Sequence, residues 1–186
     1  MSRFAVTDLP LADLKIIERQ NLGDSRGFLS RIFCAEELAL AGWTKPIAQI
    51  NQTMTAQQGT VRGMHFQHPP HSEMKLVNCL RGAVLDVAID LRANSPTFLK
   101  WHAEELSAEN RRSLLIPEGF AHGFQTLTAD CEMLYFHSAS YAPGAEGALN
   151  ALDPALAINW PLTITEMSER DRRHAYLTEQ FTGLTL

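Results

Sequence analysis

The chain has 186 residues, of which 45% are hydrophobic, enough for one ordinary core and short of what two well-filled domains need. With 16 Lys and Arg against 21 Asp and Glu the formal charge is −5, which argues against nucleic acid or an anionic membrane as partner. Cys34, Cys79 and Cys131 lie far apart, are odd in number and contain no CxxC pair, so a reducing compartment fits better than a disulfide framework or zinc ribbon. The opening run Met1-Ser-Arg-Phe-Ala-Val-Thr-Asp soon loses its apolar character, unlike a secretory signal. No window approaches the roughly 20 apolar residues of a membrane-spanning helix. The expectation is a soluble, cytoplasmic protein folded as one domain over residues 1–186.

In chain order, Leu14-Lys-Ile-Ile-Glu alternates as a strand, and Ala35-Glu-Glu-Leu-Ala-Leu-Ala reads as a short helix stopped by Gly42. Leu76–Leu80 and the β-branched run Ala83–Leu91 are compact strands, separated by Gly82 and closed by Asn94-Ser-Pro. Further strands are predicted at Trp101–Glu105, Ser113–Ile116, Gly123–Leu127 and Glu132–His137, and a last helix after Ser168. Short strands at this spacing describe an antiparallel sandwich or barrel with room for a small ligand inside.

Reactive side chains crowd into one stretch that holds Arg62, His65, Gln67, His68, His71 and Lys75. Strand alternation puts Gln67 on the face of His65 and Phe66 on the other. A second cluster, Ile116-Pro-Glu-Gly-Phe-Ala-His-Gly-Phe, sets His122 after a Pro-Gly turn. Gly59, five intervening residues and His65, together with Pro117-x-Gly119-x-x-His122, resemble the two short motifs of the cupin superfamily. That resemblance implies a mainly β fold, a double-stranded β-helix or jelly-roll barrel. Cupin metal sites usually carry a second histidine where this chain has Gln67, and the next acid, Glu73, is flanked by Lys75. An ammonium beside a divalent cation is unfavourable, so no metal and no other cofactor is expected.

The similarity then narrows. Gly23-Asp-x-Arg26-Gly-Phe, Val61-Arg-Gly-Met-His-Phe-Gln, Lys75-Leu-Val, Gly82-x-Val84-x-Asp86-Val-Ala-x-Asp90-x-Arg92, Ile116–Phe124 and Trp160-Pro together resemble the dTDP-4-dehydrorhamnose 3,5-epimerase family. The resemblance implies inversion of carbons beside the C4 ketone of a nucleotide-linked 4-keto-6-deoxy sugar, at C3, C5 or both, through an enolate, in deoxysugar biosynthesis. It implies His65 as general base with Asp171 as its orienting partner, Lys75 as the cation facing the enolate oxygen, and Tyr135 as the acid on the opposite face. A phenol suits that role if a neighbouring cation lowers its pKa. By the same resemblance Arg26 and Arg62 engage the sugar-phosphate portion, Gln49, Asn51 and His122 contact the ligand, and Tyr141 neighbours the nucleotide. A homodimer is implied as well, with a strand in Met1–Ile17 exchanged between partners.

Each assignment has a plainer alternative. Ser168-Glu-Arg-Asp171 has nearly the form of a capping box, Lys75 could be a surface lysine and Tyr135 a core strand aromatic. His102, His137 and His174 carry no signal of their own. Leu22, Arg31 and Phe136 depart from the family pattern, which leaves the nucleotide, the sugar and the number of inverted centres open. The rival functions are a single-centre epimerase or keto-sugar isomerase, a non-catalytic sugar-nucleotide-binding cupin, and a metal-dependent cupin oxygenase.

Overall fold

A computed structural model describes residues 2–186. Thirteen strands in chain order are β1 Phe4–Asp8, β2 Lys15–Arg19, β3 Asn21–Asp24, β4 Gly27–Ser30, β5 Gln49–Thr55, β6 Val61–Gln67, β7 Lys75–Arg81, β8 Ala83–Asp90, β9 Trp101–Ser107, β10 Arg112–Ile116, β11 Phe120–Thr126, β12 Cys131–His137 and β13 Glu146–Ala148. Two short α-helices, α1 Ala35–Ala39 and α2 Glu169–Arg172, and a 3₁₀ turn at Pro143–Ala145 complete the described elements. The strands form a six-stranded sheet in the order β1-β2-β10-β7-β12-β5 and a five-stranded sheet in the order β13-β6-β11-β8-β9, with β3 and β4 as a separate hairpin. This is the mainly β, cupin-like sandwich expected.

Three apolar layers explain why few strands show clean polar alternation. Val77, Cys79, Val84, Leu114, Phe124 and Met133 fill the space between the sheets. The outer face of the five-stranded sheet buries Val61, Met64, Phe66, Val87 and Ile89 under Leu149, Leu156, Met167 and Leu184 of the C-terminal segment. The outer face of the six-stranded sheet is covered by Leu38 of α1 and by Trp43, which rest on Ile17, Leu76 and Phe136. With both faces covered, β7 and β8 are buried along most of their length, the polar Asn78, Asp86 and Asp90 included.

One irregularity positions the site. β6 pairs with β11 through His65↔His122 and Arg62↔Phe124, so three steps on β6 face two on β11. The extra residue is a β-bulge at Gly63, whose φ of +130° is open to glycine. A Cβ there would stand 2.5 Å from the Gly123 Cα. The bulge shifts the side-chain phase, so Arg62 and His65, three apart, both face the interior while Met64 and Phe66 pack outside.

Candidate active site

A cavity of about 250 Å³ opens between the sheets, lined by Asn51 and Thr53 of β5, Arg62 and His65 of β6, Lys75 of β7, His122 of β11, Tyr135 and His137 of β12, and Arg170 of α2. A second cavity, about 480 Å³, shares Arg62, His65 and Arg170 and continues along Thr55, Thr60 and Asp171. Residues far apart in the chain meet here: His65 Nε2 lies 2.8 Å from Oδ1 of Asp171, 106 positions later. Burial pushes the Asp171 carboxyl up, but the hydrogen bond and charge of His65, with the Gly63 N–H, outweigh burial and hold it below its usual range. An ionised carboxylate only accepts, so Nε2 carries the proton and Nδ1 is the ring nitrogen left to take one.

Asp171 is placed by its own helix. Its backbone N–H donates to the Ser168 side chain at 3.0 Å, which caps α2, while its carboxylate turns to His65. The capping reading and the orienting reading therefore hold together, although no reciprocal capping box forms, because the acid is engaged elsewhere.

The facing sheet supplies the other groups. Lys75 is buried, with Nζ 3.3 Å from Glu73 Oε1, and Glu73 also accepts from His137 Nδ1 at 2.8 Å. Burial pushes Glu73 up, yet these two partners together hold it below the usual carboxylate range. Tyr135 lies one strand over, with its hydroxyl 3.4 Å from the Thr53 hydroxyl. A cation that lowers its pKa was expected. Instead burial dominates and pushes the phenol above its ordinary value, against small opposing effects of Thr53 and Arg62. The phenol therefore stays protonated, as a proton donor must.

His122 sits on the cavity floor, its Nε2 2.9 and 3.0 Å from the two oxygens of the fully buried Asp86. Burial raises the Asp86 carboxyl, opposed by the charge of His122.

Not every expected residue converges. Gln67 shares the face of His65, but its amide donates to the His71 and Ser140 carbonyls and accepts from the Ala142 N–H, tying loops together. With Gln67, Glu73 and His122 each engaged elsewhere, the cupin-type ligand set does not assemble around His65. Arg26 stands on the β3–β4 hairpin paired with Asp24 at 2.5 Å, outside the cavity. Tyr141 follows β12 in a loop, where its hydroxyl donates to Glu146 and its N–H to Gln49. It does not share a strand face with Tyr135, because β12 ends at His137.

Thr53, Glu73, Asp86, His137 and Arg170 were not anticipated as site groups. His137 had a usable signal, since it is two residues from Tyr135 and shares its strand face. So did Asp86, an acid inside an apolar strand, which needs a partner when buried.

The chain is similar to known proteins over most of its length. Residues 8–179 match the family model described as dTDP-4-dehydrorhamnose 3,5-epimerase. A protein of that name from Sinorhizobium fredii is 43% identical, covering 92% of this chain and 88% of the relative. The crystal structure of the Bacillus anthracis enzyme of that name, with TDP and pyrophosphate bound, superposes with a TM-score of 0.90 at 38% identity over 94% of this chain and 99% of that one. A 3′-monoepimerase from Streptomyces bikiniensis in complex with dTDP-quinovose gives 0.84 at 33% identity over 90% of this chain and 85% of that one. Sequence, fold and a His–Asp pair facing Lys and Tyr across one cavity agree, and the chain belongs to the dTDP-4-dehydrorhamnose 3,5-epimerase family.

Proposed function

We propose that the chain epimerises a nucleotide-diphosphate-linked 4-keto-6-deoxy sugar, of the dTDP-4-dehydro-6-deoxyglucose type, at the carbons flanking its C4 ketone. The observation that carries this reading is the division of groups between the sheets. His65 projects into the cavity from β6, and Lys75 and Tyr135 project from β7 and β12 of the opposite sheet. A proton beside a ketone leaves only when a base is close and the enolate oxygen is stabilised. His65 Nδ1 takes the proton, Asp171 stabilises the imidazolium, and the Lys75 ammonium balances charge on the C4 oxygen. Tyr135, kept protonated by burial, returns a proton from the far side, which inverts the centre. C3 and C5 both flank C4, so one oxyanion site serves both carbons. The second cavity continues the first past Arg62, whose guanidinium suits the diphosphate, and Asn51 and His122 contact the sugar.

The test is proton exchange in deuterium oxide with a panel of dTDP-, UDP-, GDP- and CDP-linked 4-keto sugars, read by NMR. Wild type is expected to incorporate label at C3 and C5 of one of them. His65→Ala is expected to lose roughly 10²-fold or more in rate, and full exchange in that variant would end the assignment. The likeness to a 3′-monoepimerase favours, as the second reading, inversion at one carbon, and label at a single position would establish it.

The chain acts as a single domain and as a homodimer. Leu22, Phe28 and Leu29 on the β3–β4 hairpin and Ile50 and Met54 on the sheet edge β5 are exposed apolar side chains, the kind of surface a second copy covers. β1, which pairs with β2 within one chain, lies in the N-terminal segment whose strand is exchanged in this reading, and the hairpin and β5 add to the shared surface. Arg26 and Tyr141 then reach the nucleotide across or beside that interface. The three unpaired cysteines support a cytoplasmic setting, and no described helix is long and apolar enough to cross a membrane.

A further inference from the structure

His174 follows α2, and its backbone is anchored by the buried Asn150, whose amide donates to the His174 carbonyl at 2.8 Å and to that of Arg172 at 3.2 Å. The His174 side chain has no role in the chemistry above. Its Nε2 is nonetheless buried without a hydrogen-bond partner among the described residues, an arrangement that demands an explanation. Ligand atoms of His65, Asp171 and His174 all lie within 4.8 Å of one another. Two imidazoles and one carboxylate are a donor set that suits zinc, with a water in the fourth position. Donors at about 2.0–2.2 Å around a tetrahedral ion stand roughly 3.3 Å apart, so binding requires the widest pair to close by at most about 1.5 Å. Two cations neighbour the pair: Lys75 Nζ donates to the His65 backbone carbonyl at 3.5 Å, away from the ring, and Arg170 stands with Nη2 3.3 Å from His65 Nε2 and Nε 3.8 Å from Asp171 Oδ1. The Arg170 side chain is 57% exposed and already paired with Glu146, so it can move into solvent.

We propose that His65, Asp171 and His174 form an inhibitory site for a zinc-class divalent cation. The site shares His65 with the cupin-type set but takes Asp171 and His174 in place of that set's other positions, Gln67, Glu73 and His122. Inhibition follows from the tautomer. The metal takes the Nε2 lone pair of a neutral His65, and the single ring proton moves from Nε2 to Nδ1. Nδ1 is the nitrogen assigned to remove the substrate proton, so the metal-bound imidazole is no longer a base, and no proton is gained or lost overall. The cation also replaces the His65–Asp171 hydrogen bond that orients the ring. The binding half of this proposal is independent of the epimerase reading, and the inhibition half rests on it.

The test titrates the metal-free protein with zinc chloride by calorimetry and follows solvent exchange in parallel. Wild type is expected to bind one zinc per chain, lose exchange as the site fills, and recover on chelation. His174→Asn is expected to bind zinc roughly tenfold or more weakly, while its exchange without metal matches wild type. His71→Asn, a change at an exposed histidine, serves as control and should behave as wild type. Cobalt gives a second readout, the visible absorption of a four-coordinate ion, lost in His174→Asn. Equal zinc affinity in wild type and His174→Asn overturns the site, and zinc binding that leaves exchange untouched overturns the inhibition. If the metal-free wild type exchanges no 4-keto sugar, the functional reading fails while calorimetry still decides the site.

Discussion

Asp171 meets two neighbours with two different groups, donating its backbone N–H to the Ser168 cap of α2 and accepting from His65 through its carboxylate. Its sequence context, Ser-x-x-Asp, announces the first role and says nothing of the second. Asp171→Asn keeps the size and the helix cap but cannot stabilise an imidazolium. Its kcat is expected to fall roughly 10²- to 10⁴-fold in the exchange assay, with little change in substrate affinity. The same variant reports on stability. The folded-state pKa of Asp171 is lowered, so its contribution is complete above the ordinary carboxylate value near about 4 and is lost as pH falls through the folded value. Urea unfolding of Asp171→Asn is therefore expected to weaken less than that of wild type between neutral pH and acid. A steeper loss in the variant would contradict the pairing with His65.

At the scale of elements, the β6 bulge decides which residues share the cavity. A regular strand would turn Arg62 and His65 to opposite faces, and the extra residue at Gly63 returns both to the inside. Gly63→Ala places a methyl 2.5 Å from the Gly123 Cα and 2.9 Å from the His122 carbonyl oxygen, at a φ of +130°. A cost of roughly 1–3 kcal/mol is expected, measured by chemical unfolding, with a loss of exchange larger than any loss of folded protein, because β6 carries the base. Ordinary stability and activity in this variant would show that the close approach of β6 and β11 is dispensable. Strand alternation alone, applied from His65, misassigns the face of Arg62. Applied from Tyr135, where β12 is regular, it correctly reaches His137.

At the scale of the whole molecule, Leu22, Phe28 and Leu29 of the β3–β4 hairpin and Ile50 and Met54 of β5 are five exposed apolar side chains on two elements. Phe28 and Leu29 are each 70% exposed. Replacing both with Asp is expected to convert a dimer into a monomer of 20.7 kDa, read by light scattering. Exchange activity should fall at the same time if Arg26 acts across the interface. A monomeric wild type would remove the dimer from the reading.

Local pattern in the sequence was sufficient for the sheet-rich class, eight of the strands, β6 among them, and both helices, and the family resemblance pointed to His65, Lys75, Tyr135 and Asp171, which line the two adjoining cavities. β1, the β3–β4 hairpin, β5 and β13 escaped it, since short or exposed strands carry little apolar periodicity. The partners Glu73 and Arg170 and the unpaired nitrogen of His174 were decided by tertiary structure alone. Which charges lie within 3 to 5 Å of one another depends on how two sheets are stacked, and hydrogen bonds and pKa values follow that distance rather than separation along the chain.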